Sequence, residues 1–90
     1  MTIALIGATG LVGQTMLRVL EERKLPISNL LVAASDQSIG KTIHFNGDDL
    51  RIQSINEVLK TRPEIALFSI GAELSLLWAP KFAEAGTTVI

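Results

Sequence analysis

Cysteine is absent from these 90 residues. That excludes a disulfide scaffold, a thiolate metal site and a thiol nucleophile within them. An excess of charge is lacking too. Eight Lys and Arg stand against nine Asp and Glu, a formal net charge of −1, so there is no basic footprint for nucleic acid. No apolar run approaches the roughly 18 residues of a membrane span. No basic segment precedes an apolar stretch at Met1-Thr2-Ile3, so a signal peptide is not expected and the predicted location is the cytoplasm. Internal repeats, low-complexity tracts and linkers are missing as well.

What remains is the composition of a folded soluble domain, 48% hydrophobic and 19% charged. A chain of this size buries only about 60–65% of its unfolded surface, so its stability is marginal.

The sequence predicts strands alternating with helices. Ile3-Ala4-Leu5-Ile6 is a short apolar run ending at Gly7, as expected of a strand covered on both faces. From Leu11 to Lys24 the spacing is helical, with Val12, Met16, Val19 and Leu20 predicted on the buried face and Pro26 as the stop. Leu30 to Ala34 reads as a second buried strand, followed by the polar loop Ser35-Asp36-Gln37-Ser38 and Gly40. Ile43 and Phe45, then Leu50 and Ile52, alternate with polar residues around Asn46-Gly47-Asp48-Asp49, which predicts an antiparallel hairpin with one buried face. Asn56 is the expected cap of a short helix over Glu57 to Lys60. Ile65 to Phe68 is a further buried strand. A helix is expected within Leu74 to Ala85, with a kink or restart at Pro80 and Gly86 closing it. Thr87 to Ile90 begins another strand. Trp78 is expected against the sheet, Met16 in the core, and His44 on the polar face of the hairpin with no role.

The fold class that follows is α/β: a Rossmann-like, doubly wound parallel sheet with a small antiparallel hairpin. The last strand has no helix after it. Residues 1–90 therefore read as the N-terminal part of a dinucleotide-binding domain, with any catalytic and dimerisation domain outside them.

Three segments carry binding chemistry. Gly7-Ala8-Thr9-Gly10-Leu11-Val12-Gly13 leaves a strand and opens a helix, the setting that the dinucleotide fingerprint requires. Gly7 permits the tight exit, Gly10 lets a pyrophosphate approach the backbone, and Gly13 lets the helix pack closely. Free N–H groups of the first helical turn face the phosphates, and Thr9 adds a hydroxyl. The same pattern also serves a tight turn without a ligand. The second segment, Ser35 to Lys41, lies where a Rossmann half meets the adenosine ribose. Ser35, Ser38 and Lys41 suit a 2′-phosphate, whereas an inward Asp36 would repel one. The third, Phe68-Ser69-Ile70-Gly71-Ala72, ends a parallel strand near the reversal of strand order, where Ser69 and Gly71 could line the cofactor.

Together these residues resemble the N-terminal half of the cofactor-binding domain of aspartate-semialdehyde dehydrogenase. The resemblance rests on Gly7 to Gly13, Leu20-Glu21-Glu22-Arg23, Ala34-Ser35 with Ser38-Ile39-Gly40-Lys41, and Ala66 to Gly71. Ala79-Pro80-Lys81, Ala83, Ala85-Gly86 and Val89-Ile90 also fit, so it covers essentially the whole chain. It implies NADPH-dependent reduction of aspartyl phosphate to aspartate semialdehyde, on the route to lysine, methionine and threonine, through a thioester on an enzyme cysteine. It further implies that Gly7, Thr9, Gly10, Leu11, Val12 and Gly13 cradle the pyrophosphate. Ser35 and Ser38 would reach the 2′-phosphate, and Ser69 and Gly71 would sit by the ribose or nicotinamide. The family's catalytic cysteine, base histidine and substrate arginines lie beyond residue 90, so no catalytic residue is expected here. The small-molecule cofactor is the expected partner, with neither nucleic acid nor membrane, and the whole protein is expected as a homodimer or homotetramer.

Two positions depart from the family pattern. Gln37 stands where an arginine usually lies between the two serines, which admits NAD beside NADP because a charged bidentate contact is lost. Ala72 stands where a second glycine usually follows Gly71. Two alternatives stay open: N-acetyl-glutamyl-phosphate reductase, which shares the domain plan, and a non-catalytic dinucleotide-binding module.

Overall fold

The protein is described by a computed structural model covering residues 1–24, 27–34 and 36–90. The readings of Pro26 as a helix stop and of Ser35 as a phosphate contact fall outside the described residues. The elements are β1 (Thr2–Ile6), α1 (Leu11–Arg23), β2 (Asn29–Ala33), β3 (Thr42–Phe45), β4 (Asp48–Gln53), α2 (Ile55–Thr61), β5 (Ile65–Phe68), α3 (Ala72–Glu84) and β6 (Thr88–Val89). They form one sheet in the order β3-β4-β2-β1-β5-β6, parallel except for the β3–β4 pair. The α/β reading and the alternation of strands and helices hold.

Successive side chains of a strand point to opposite faces, and here both faces are covered. Ile3, Leu5, Leu30 and Val32 join Leu17 and Leu20 of α1 and Phe45 and Ile52 of the hairpin on one side. Ala4, Ile6, Leu31, Ala33 and Ala66 join Val58 of α2 and Phe82 of α3 on the other. Phe82 is fully buried and meets Phe68 edge to face, with ring centroids 5.5 Å apart. Trp78 is half-buried against the same cluster, with the Lys81 ammonium 4.7 Å over its ring.

Four local expectations are corrected. First, α1 buries Gly13, Leu17 and Leu20, whereas Val12 and Val19 are exposed and Met16 is half-buried. The helix is rotated by about one residue from the expected face because Gly13 abuts the turn below it, as described in the next subsection. Second, the hairpin turn is only Asn46-Gly47, with φ of 50° and 84°. Asp48 and Asp49 already pair with Phe45 and His44 across the strands. Two consecutive left-handed residues are what a tight two-residue hairpin demands. Third, the cap of α2 is Ser54 rather than Asn56. Ser54 Oγ accepts from the Glu57 N–H at 3.1 Å, and a Glu57 carboxylate oxygen accepts from the Ser54 N–H at 3.3 Å. This reciprocal box satisfies two amides at once, which a lone asparagine does not. Fourth, α3 runs through Pro80 without a break. The carbonyl that the proline cannot bond belongs to Leu76, one helical turn back on the same helix. His44 is exposed, as expected, with Nδ1 3.3 Å from Asp49 Oδ1.

The hairpin is tied to α1 by the Glu21 carboxylate, which accepts from the Asn46 N–H at 2.6 Å.

Candidate dinucleotide site

The sheet places the three sequence segments along one edge. Ile6, at the end of β1, pairs with Ala33 of β2 on one side and Phe68 of β5 on the other. The glycine turn after β1, the loop after β2 and the loop after β5 therefore leave from one row of residues. β1 is also where the connections reverse, with α1 on one face of the sheet and α2 and α3 on the other. Ligands of doubly wound sheets bind at such a reversal, beside the carboxyl ends of the strands.

The glycine turn is held from both neighbouring strands. The Ala33 carbonyl accepts from the N–H groups of Gly7 and Ala8 at 2.8 and 3.1 Å. On the other side, Ser69 N–H donates to Ile6 O at 2.8 Å. Gly7 has a φ of +96°, and a Cβ there would stand 2.7 Å from Ser69 O and from the Ile70 side chain. Both the conformation and the space thus require glycine at that position. Gly13 is required by space alone. A Cβ there would overlap the Gly7 carbonyl oxygen and stand 3.0 Å from Ala8 Cα. This contact sets the rotation of α1.

Gly10 behaves differently. Its φ of −73° and ψ of 167° suit any residue, and among the described residues a Cβ would meet nothing nearer than Gly7 O at 3.7 Å. The fold itself does not demand a glycine there. Gly10 is the N-cap of α1 and offers no side chain to the helix. The first bond within α1 runs from Gln14 N–H to Gly10 O at 2.9 Å. The N–H groups of Leu11, Val12 and Gly13 precede it and have no carbonyl four residues back inside the helix. Leu11 and Val12 are exposed, at 85% and 59%. The start of α1 thus carries amides without helical partners at the positive end of a 13-residue helix, with room above Gly10 for a ligand among the described residues. That arrangement fits a pyrophosphate.

The helix starts along this edge differ in a telling way. α2 follows β4, which is parallel to β2, and the Ser54–Glu57 box bonds two of the amides at its start. α1 and α3, which flank the reversal, have glycine caps, Gly10 and Gly71, with no side-chain bond. Among the described residues a Cβ at Gly71 would meet nothing within 4 Å, so this position is also open. Ala72, the first residue of α3, is exposed.

In the loop after β2, Asp36–Ser38 form one 3₁₀ turn, with Gln37 exposed and Ser38 half-buried. Gly40 N–H donates to Ile52 O at 3.0 Å, and Lys41 N–H to Ser38 O at 3.1 Å, so the loop is pinned to β4. Gln37 is thereby carried on an anchored turn at the sheet edge.

Two contributions escaped the sequence reading. Gln14 has no role assigned to it by the sequence pattern. Its Nε2 donates to Thr9 O at 2.9 Å and so holds the turn from the helix side, while the rest of Thr9 stays exposed. Ser69 was expected to line the cofactor. Its hydroxyl turns inward, 3.1 Å from Ile6 O and 3.0 Å from Gly7 O. No signal in the sequence shows which way that hydroxyl points.

Comparison with known proteins agrees with this geometry. Residues 2–90 match the family described as semialdehyde dehydrogenase, NAD binding domain. The chain is 52% identical over 98% of its length to aspartate-semialdehyde dehydrogenase 2 of Vibrio cholerae, and 45% identical over 98% to aspartate-semialdehyde dehydrogenase of Aquifex aeolicus. It spans 26% of the length of each. A crystal structure of aspartate-semialdehyde dehydrogenase II from Vibrio cholerae superposes with a TM-score of 0.92 at 51% identity, covering 98% of this chain and 29% of that one. A glycine turn at the reversal of a doubly wound sheet and a family match along nearly every residue point the same way: the chain belongs to the semialdehyde dehydrogenase family, in its NAD-binding domain.

Proposed function

We propose that the chain is the NADP(H)-binding part of an aspartate-semialdehyde dehydrogenase, which reductively dephosphorylates aspartyl phosphate to aspartate semialdehyde. The observation that carries this reading is the open, uncapped start of α1 above Gly10, in a chain half identical to enzymes of that name. The nicotinamide, when bound, supplies the hydride. The chain's own part is to bind and orient. Gly10 lets the pyrophosphate reach the backbone N–H groups of Leu11, Val12 and Gly13, Gly7 shapes the turn, and Gly71 leaves room beside β5. Ser38 and Gln37, with Ser35, serve the adenosine end. Cytoplasmic location, a homodimer or homotetramer as the assembled enzyme, no nucleic-acid partner, and a place in lysine, methionine and threonine biosynthesis belong to the same proposal.

The test is a fluorescence titration of the chain with NADPH and NADH. Binding of either nucleotide is expected, and no binding of either would overturn the reading. The cofactor choice is read at Gln37, which donates a hydrogen bond without charge. Charged contacts are roughly twice as strong as neutral ones. Gln37→Arg should raise the preference for NADP over NAD about tenfold, ~1.4 kcal/mol. A ratio that stays or falls would show that Gln37 faces away from the 2′-phosphate.

The chain alone should not turn over aspartate semialdehyde. The chemistry needs a nucleophile beside a base. Ser69 spends its proton on the carbonyls of β1 and the turn, and His44, the single histidine, sits on the hairpin beside Asp49. Phosphate-dependent NADP⁺ reduction by the purified chain should therefore match that of a Gly10→Val control. Turnover above that control would place catalytic groups within these residues.

A further inference from the structure

The hydroxyl of Ser69 turns inward, toward the glycine turn. The residue follows β5, and its hydroxyl reaches two carbonyl oxygens on the neighbouring strand and turn, Ile6 O at 3.1 Å and Gly7 O at 3.0 Å. A hydroxyl has one hydrogen, so that hydrogen is shared between them. Neither carbonyl depends on it for satisfaction. Ile6 O also accepts from Ser69 N–H at 2.8 Å, and Gly7 O from Gly10 N–H at 3.3 Å. The hydroxyl instead adds a second point of attachment between β5 and the glycine turn. The place it grips is mechanically central. Gly7 O receives the Gly10 amide and is also the atom against which Gly13 of α1 is seated. A shift of that carbonyl moves both Gly10 and the start of the helix.

We propose that Ser69 is a positioning residue for the pyrophosphate: it bonds the Ile6 and Gly7 carbonyls and thereby fixes the turn through Gly10 and the direction of the Leu11–Gly13 amides, without touching the cofactor itself. The proposal rests on the dinucleotide reading above. It also makes a claim of its own, that the order of the turn in the free protein depends on the hydroxyl.

Three probes separate this role from a direct contact: NADPH, ADP and AMP. NADPH and ADP present a pyrophosphate, whereas AMP presents a single phosphate. In Ser69→Ala the Kd of NADPH and of ADP should rise about five- to tenfold, the scale of one lost hydrogen bond. The Kd of AMP should change less than twofold. In the ligand-free variant, the amide resonances of Gly10 and Leu11 should move and exchange faster with solvent, while those of β2 stay put. A loss confined to NADPH would mean that Ser69 contacts the nicotinamide half. An equal loss for all three probes would mean general destabilisation. Unchanged affinities, or an unmoved Gly10 amide, would remove the brace. Each of these outcomes overturns the proposal. Should the alanine variant not fold, Ser69→Cys keeps the volume and a weak donor. It should lose about two- to threefold on ADP and nothing on AMP, and full retention of ADP affinity would overturn the idea. If the unsubstituted chain binds no nucleotide, the functional reading fails. The amide measurements still decide whether Ser69 orders the turn.

Discussion

Gly10→Val should raise the Kd for NADPH by roughly two orders of magnitude, about 3 kcal/mol, in a protein that remains folded. The separation between the two effects is the point of the experiment. Among the described residues, a Cβ at Gly10 meets no atom nearer than 3.7 Å, and the backbone there is extended with φ at −73°. Valine is a poorer cap than glycine, a cost of about 1 kcal/mol, partly offset by the lower entropy of the unfolded chain. A domain of this size responds to 1 kcal/mol with a change in Tm of about 4–8 °C. The added methyl groups stand at the exposed start of α1, in the space through which a pyrophosphate must come to reach the N–H groups of Leu11, Val12 and Gly13. Fluorescence titration and thermal denaturation on the same samples give both numbers. A variant that melts within that range and binds as before would take the pyrophosphate away from this turn. Loss of binding together with loss of fold would show that Gly10 is structural, against the space seen around it.

The contrast between Gly10 and Gly13 shows how far the sequence could be read. The spacing of the glycines and the apolar run before them pointed to a strand, a tight turn and a helix, because both the 3.6-residue period and the buried parallel strand leave local marks. β5 emerged at its predicted bounds, Ile65–Phe68, because Pro63 before it and the polar Ser69 after it bracket an apolar run. The rotation of α1 left no such mark. Val12, Met16 and Val19 make as good an apolar stripe as Gly13, Leu17 and Leu20. The choice between them is made by a contact between Gly13 and the Gly7 carbonyl, across the turn. Pro80 misled for a related reason. A local rule forecasts a kink or a restart, and the restart does not occur: the helix continues to Glu84, with Phe82, two residues on, fully buried against Phe68. The cap of α2 was legible, since Ser54 and Glu57 have the spacing of a reciprocal box, and Asn56 only drew the eye from it. At the site itself, the pattern marked which backbone positions gather at the edge. It was silent on hydroxyl direction, and so on the inward turn of Ser69.

Gly13→Ala should destabilise the fold far more than the same single-methyl change at Gly10. In an ordinary helix interior the same substitution stabilises, by roughly 0.5–1 kcal/mol, because alanine has less backbone entropy to lose. Here the new methyl would overlap the Gly7 carbonyl oxygen and press on Ala8 Cα at 3.0 Å. Both are backbone atoms in a turn already fixed by Ala33 and Ser69, so neither can yield as a flexible side chain would. Relief requires α1 to move away from the turn, and that lifts Leu17 and Leu20 from the Leu5 side of the sheet. Overpacking of this kind costs about 1–3 kcal/mol, occasionally more. The constraint at backbone atoms argues for the upper end, which exceeds the gain from helix propensity. A net loss of about 2 kcal/mol corresponds to a fall in Tm of roughly 8–16 °C for a domain this small. The binding of NADPH should weaken with it, because the same displacement carries the amides at the start of α1 away from the position they hold above Gly7. Thermal denaturation of Gly13→Ala beside Gly10→Ala makes the comparison within one chemistry, a single methyl at each position. A Tm that rises in Gly13→Ala, as it does for a freely exposed helical glycine, would mean that α1 does not sit this close to the turn and that its rotation is set by something else.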